Sequence, residues 1–194
     1  MDFSQALNAR RSIRRFEQIP VEDSLLRSLI DAAAKAPSAS NNQVLRYKVI
    51  RKAPLLEQVF ALTLWGGAVR PKRDPQFGVN SPVAFIAVCA PDPGNGSVSK
   101  HVIGDAGAAI QNMLLQAVDS GLGTCWLGAF DAAKVDQLLG LKDLTCIYLV
   151  AVGYPAESPV MLRIHKGDST KYFLDPEDVI HVPKYHPEDI AEFL

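Results

Sequence analysis

A chain of 194 residues that is 48% hydrophobic and 21% charged has the balance of a folded globular domain, which excludes a disordered polypeptide. Its formal net charge of -1 excludes an overall polycationic nucleic-acid binder, and no stretch approaches the ~20 apolar residues of a membrane span. The charge is uneven: Arg10, Arg11, Arg14 and Arg15 crowd the start, which leaves room for a small anion site.

No apolar core of signal-peptide length precedes these arginines, so a cytoplasmic protein is the expectation. A short helix is expected from about Asp2. After Pro20, the residues Leu25, Leu26, Leu29, Ile30, Ala33 and Ala34 recur at helical spacing. They predict a helix that ends by the Ala36-Pro37 step, because the residue before a proline is pushed out of the helical region. Residues 37–43 are polar and turn-like and lead into a strand over 46–50. A short helix over 55–64 follows, then an irregular loop over 66–80 that carries Arg70, Lys72 and Arg73.

Residues 82–89 are nearly all apolar and read as a central strand covered on both faces. A Gly/Pro/Ser/Asn loop is expected over 92–99. The strongest helix runs over 102–120, where Ala106, Ala109, Ile110, Met113, Leu114, Ala117 and Val118 form a wide apolar stripe. Its small residues Gly104, Gly107, Ala108 and Ala109 would admit a neighbouring helix or a flat ring. Gly121 to Gly123 end that helix and a brief strand follows over 124–127. Asp131 is placed to cap a short helix through 138, and 144–153 supplies another buried strand.

The last forty or so residues differ in kind. Prolines at 155, 159, 176, 183 and 187 separate short pieces with little apolar periodicity, apart from the cluster at 171–174. Such a tail makes no core of its own and must lie across another surface. The expectation is an α+β fold in one domain, 1–194, with buried strands flanked by helices and an extended C-terminal arm over 155–194.

Three segments carry candidate chemistry. In Arg10-Arg11-Ser12-x-Arg14, guanidinium forks match phosphate oxygens and the hydroxyl adds a further bond. Crowded cations repel unless an anion offsets them; the alternatives are a solvated surface patch, or arginines paired with carboxylates elsewhere. Pro37 to Gln43 offers amides and hydroxyls that suit a ribityl chain or a heteroaromatic edge, or that simply form a turn. In residues 121–128, glycines let main chain approach a ligand closely, while Cys125 and Trp126 are expected to pack in the core.

Cys89, Cys125 and Cys146 each sit in an apolar run without metal or disulfide spacing, and the four histidines form no cluster, so no metal is expected. There is no dinucleotide fingerprint, nucleophile elbow or P-loop. Asp105 is the one carboxylate bracketed by small and apolar residues; pairing with an arginine, capping a turn and acid work all remain open.

Taken in order, Arg10 to Phe16, Ala36 to Gln43, Asp105 with Gln111-Asn112-Met113, and Gly121 to Gly128 resemble the FMN-dependent nitroreductase family over nearly the whole chain. The resemblance implies a mostly antiparallel central sheet flanked by helices, the arm wrapping a partner, and a homodimer with FMN at the subunit interface. It implies that Arg10, Ser12 and Arg14 hold the phosphate and ribityl end. Arg11 would reach toward that end or the ring's polar edge, and Lys184 supplies a final phosphate-binding cation. Pro37, Ser38, Ala39 and Asn41 would come from the partner, with Gln43 steadying their loop. Leu127 and Gly128 would present a backbone amide near flavin N5, with Trp126 just behind.

Departures are visible. Val44-Leu45 stands where many relatives have Pro-Trp, Lys184-Tyr185 where two cations are usual, and no long helical insertion covers the pocket, which predicts an open site. The cation near flavin N1 and O2 stays open among Arg70, Lys72 and Arg73. The implied reaction passes two electrons, as hydride through flavin N5 in ping-pong order, from NADH or NADPH to a nitro compound, quinone or similar acceptor, without an essential acid or base side chain. Rival readings are dehydrogenation, dehalogenation or ring cleavage on the same fold, a flavin carrier or sensor without turnover, and a cofactor-free α+β protein. Neither nucleic acid nor membrane is expected as a partner.

Overall fold

The structure is a computed structural model that describes residues 1–94 and 97–194; the expected 92–99 loop lies outside the described residues at positions 95 and 96. Its centre is an antiparallel sheet formed by β1 (Arg46–Ile50), β2 (Ala84–Pro91), β3 (Gly123–Leu127) and β4 (Leu144–Gly153), in the order β1-β2-β4-β3. The apolar run expected from Pro82 starts pairing two residues later, at Ala84. Every residue from Ala84 to Ala90 is buried, because both faces of β2 are covered and successive side chains alternate between them.

On one face, Ile86, Val88, Val150 and Val152 meet Leu26, Leu29 and Ala33 of α2 (Asp23–Ala34). They also meet Ala106, Ile110 and Met113 of α4 (Lys100–Asp119). On the other, Phe85, Ala87, Leu149 and Ala151 meet Val59 of α3 (Leu55–Ala61) and Val135 of α5 (Ala132–Leu139). Burying each of the Val, Leu, Ile, Phe and Met side chains among them contributes roughly 1.5–3 kcal/mol before conformational entropy is charged against it. The first helix, α1 (Phe3–Ala9), starts with a reciprocal cap: Asp2 accepts from the Gln5 backbone and the Gln5 side chain accepts from the Asp2 backbone. As expected, Asp131 caps α5 by accepting from Lys134 N at 3.2 Å. No helix among the described residues is long and apolar enough to cross a membrane.

The arginine segment is stitched to the sheet edge. Ser12 bridges Thr124 in parallel, and Ile13 N donates to Thr124 O at 2.8 Å. Gly123 and Gly153 face each other across β3 and β4, and their missing side chains form a notch. A Cβ on Gly123 would stand 2.8 Å from Ile13 Cγ1, and one on Gly153 2.9 Å from Phe16 Cδ1. The expected approach of main chain to a ligand at Gly123 is therefore corrected: the space is filled by Ile13 of the same chain. Gly121, at φ +73°, serves the turn out of α4.

The tail is more regular than its composition implied. β5 (Val160–Ile164) pairs in parallel with β7 (Ile180–Tyr185), and β6 (Phe173–Leu174) pairs antiparallel with β7, burying Ile164 and Ile180. The turn between β6 and β7 meets the 66–80 loop through charge: Lys72 and Arg73 reach Asp178, as does Arg15. Beyond β7, Ile190, Phe193 and Leu194 are exposed.

Candidate functional site

Folding brings the N-terminal arginines and the C-terminal strand together. Arg10, Arg11, Ser12, Arg14 and Lys184 line one cavity of ≈ 80 Å³ with Met161, Tyr172 and Val182. Among the described residues none of Arg10, Arg11, Arg14 and Lys184 has a carboxylate partner, whereas Arg15, Arg70, Lys72 and Arg73 all do. The alternative of a patch neutralised by nearby acids thus fails for the first four. Arg11 Nε is buried without a hydrogen-bond partner, while its Nη1 donates to Arg10 O at 2.6 Å. Burial, and then the adjacent Arg10 charge, pull the Arg11 guanidinium below its ordinary value. An anion in the cavity would relieve both penalties.

Arg14 is held in place by neighbours. Its guanidinium carbon stands 4.9 Å from the centre of the Tyr172 ring, a cation–π arrangement, and Nη1 donates to Ser12 O at 3.4 Å. Behind it, the Glu157 carboxylate accepts from Arg14 N and Arg15 N. Tyr172 and Glu157 were not singled out from the sequence. The aromatic cluster at 171–174 was a signal for the first; nothing local marks the second.

A second hollow, ≈ 190 Å³, is lined by Pro37, Ser38, Gln43, Asp105 and Ala109, among others. Here Asp105 caps a turn: its Oδ1 accepts from Ala39 N at 2.9 Å. Ser38 Oγ accepts from Gln43 N at 3.2 Å, and Gln43 Nε2 donates to Asn41 Oδ1 at 3.2 Å. Ser40, Asn41 and Gln43 all have left-handed φ near 50°. This hollow and the cation cavity share no lining residue.

The third segment joins the first through the Ser12–Thr124 bridge. Leu127 is buried and Gly128 exposed. Trp126 corrects the expectation of core packing: it is 37% exposed, lies over Gly107 of α4 and meets the Tyr148 ring edge-on at 5.1 Å. With Trp126 and Gly128 both exposed, this chain's own residues leave that face open. Cys125 is buried as expected, and burial pushes its thiol up to about 11. The loop cations do not supply a free charge: Arg70 pairs with Asp74, Lys72 with Asp178, and buried Arg73 with Glu157 and Asp178.

The cation cavity can hold a phosphate-sized anion. Sites that enclose a whole ligand measure roughly 300–1,000 Å³. The cation cavity is far smaller, so any larger body attached to the anion must lie outside it.

Comparison with known proteins gives the same direction. The profile described as "Nitroreductase family" matches residues 7–154. A Methanothermobacter thermautotrophicus protein, provisionally named an NADH dehydrogenase/NAD(P)H nitroreductase, is 30% identical over 192 residues, covering 95% of this chain and 88% of that one. The NADH dehydrogenase of Thermus thermophilus is 31% identical, with 81% of this chain and 88% of that one covered. A solved structure of a Desulfovibrio desulfuricans protein in complex with FMN is 33% identical with a TM-score of 0.66, covering 80% of this chain and 87% of that one.

Proposed function

Because the chain belongs to the nitroreductase family and is thereby a flavin-dependent oxidoreductase, we propose that it binds FMN in a homodimer and carries two electrons from NADH or NADPH to a small-molecule acceptor such as a nitro compound or quinone. The observation that carries the reading is the cavity where Arg10, Arg11, Arg14 and Lys184 meet, among the described residues, without a carboxylate partner and with Arg11 Nε buried and unpaired. These residues fit a phosphate monoester, whose dianion matches guanidinium forks.

In this reading Arg10, Ser12, Arg14 and Lys184 hold the phosphate and ribityl end, and Arg11 offsets charge there. FMN, when bound, supplies a centre that takes up and gives back two electrons. Leu127 and Gly128 offer main-chain polar groups at the ring edge, with the Trp126 ring beside them. Pro37, Ser38, Ala39 and Asn41 come from the second subunit, kept in shape by Gln43. One feature supports the dimer: Ile190, Phe193 and Leu194 are exposed at the arm's end. The role of the chain's residues is to bind, orient and supply positive potential; no side chain serves as an obligatory acid or base.

The test is an anaerobic spectrum of the FMN-loaded protein during successive addition of NADH, NADPH and an aromatic nitro compound. Bleaching by one nucleotide and recovery with the acceptor is the expected result. A bound flavin that neither nucleotide reduces overturns the electron-transfer reading and leaves a carrier or sensor.

A further inference from the structure

Glu157 belongs to none of the segments that carry the family resemblance, yet it sits directly behind the cation cavity. Its side chain is 3% exposed and that of Arg73 is 7% exposed. Oε1 accepts from two successive backbone amides, Arg14 N at 2.5 Å and Arg15 N at 3.3 Å. Oε2 makes no hydrogen bond and instead faces Arg73 Nη1 at 3.6 Å. A buried carboxylate is tolerated only when its charge is compensated. Of the arginines in contact with it, Arg14 lines the cavity, while Arg73 and Arg15 do not. The ion pair is made with Arg73.

We infer that Glu157, its charge balanced by Arg73, is a positioning residue for the anion cavity: it fixes the main chain at Arg14 and Arg15 so that the Arg14 guanidinium stays free to meet a phosphate. Three observations converge. The Arg14 amide is spent on Glu157 while its guanidinium stacks on Tyr172 and touches no acid. The cation–carboxylate pair is buried, so it acts with little solvent screening. Arg73 is further anchored by Nη2, which donates to Asp178 O at 2.5 Å, so the compensating charge is itself immobilised by the arm. The cavity therefore keeps its positive charge although a carboxylate lies one peptide away. This also gives the 66–80 loop a role, through Arg73, without any contact between its cations and a ligand.

The inference rests on the phosphate reading of the cavity, and its test separates the two. In the full chain, E157A and E157Q are compared with the parent for affinity toward FMN, riboflavin and inorganic phosphate, together with the melting temperature of the protein without flavin. In E157A, FMN and inorganic phosphate affinity should fall about tenfold while riboflavin affinity changes less than about threefold, as expected for loss of one charge-assisted positioning bond. E157Q, whose carbonyl still accepts from Arg14 N and Arg15 N, should retain FMN-over-riboflavin selectivity to within about threefold. A parallel loss of FMN and riboflavin in E157A, unchanged selectivity, or failure of both variants to fold would overturn the positioning role and leave Glu157 as a stability element. If the parent binds inorganic phosphate but not FMN, the flavin reading fails while phosphate affinities still decide the inference. If the parent binds neither, both fall.

Discussion

Asp105, in the second turn of α4, accepts the Ala39 backbone N–H at 2.9 Å and so ties the long helix to the loop that follows α2. That loop is an uphill conformation. Ser40, Asn41 and Gln43 lie in the left-handed region, which costs a non-glycine residue about 1–3 kcal/mol where nothing compensates. A charge-assisted bond to its first turn is one of the contacts that hold it, together with Ser38 Oγ and the Gln43 amide.

Asp105→Ala should therefore release the loop without unfolding the core, since Asp105 lies outside the apolar contacts of α4 with the sheet. Amide exchange at Ala39 is expected to accelerate by about tenfold, the effect of losing one hydrogen bond to a charged acceptor, while Asp105→Asn keeps an acceptor and most of the protection. Unchanged exchange at Ala39 in the alanine variant would show that the loop is held by other contacts. FMN affinity should follow the same order, parent and Asn above Ala.

The periodic signals were legible because they depend on neighbours in sequence. Leu26, Leu29 and Ala33 mark the buried face of α2, and the unbroken apolar run of β2 marks a strand with two covered faces. The assembly of Arg10 to Arg14 with Lys184 was legible only through resemblance, since no local rule relates positions so far apart. Partner choice among charges was not legible at all: Arg73 and Arg14 look alike in sequence. One is buried against Glu157 while the other has no carboxylate, because tertiary packing decides which cation meets an acid. The strands of the tail were missed for a related reason. β5 and β7 pair in parallel across an intervening segment, and neither alternates cleanly enough to announce it. Gly123 was misread because a missing side chain looks the same whether a ligand or Ile13 fills the gap.

That gap gives a direct test of the notch. Gly123→Ala places a methyl group 2.8 Å from Ile13 Cγ1 and 3.0 Å from Ile13 Cβ, closer than atoms pack. Overpacking of this kind costs roughly 1–3 kcal/mol. The segment that carries Ser12, bridged to Thr124, should shift with Ile13, so in the proposed reading FMN affinity falls along with stability. In the double variant Ile13→Ala/Gly123→Ala, the new methyl enters space vacated by Ile13, and the combined destabilisation should be smaller than the sum of the two. Additive melting shifts would mean that Ile13 and Gly123 do not share the space.

The arm is fastened by carboxylates, which makes its attachment sensitive to acid. The Lys72 ammonium 3.0 Å from Oδ1, followed by the charges of Arg73 and Arg15, outweighs burial and holds the Asp178 carboxyl below the usual carboxylate range. His181, with the Val179 amide, does the same for Asp175. A carboxyl depressed in the folded state stabilises it fully above the unfolded value, near ~3.9 for aspartate, and that contribution is lost as pH falls through the lower folded value. Hydrogen exchange over residues 173–185 should thus rise as pH falls below about 4, after correction for intrinsic rates. Asp178→Asn provides the control, because asparagine tolerates the left-handed φ of 65° found there and removes only the charge. Its arm should exchange faster than the parent's at neutral pH, by a factor of about three as befits partly exposed pairs, and show a weaker further response to acid. Arm exchange in Asp178→Asn that matches the parent at neutral pH would rule out charge as the fastening and leave the β5–β7 pairing to hold the tail alone.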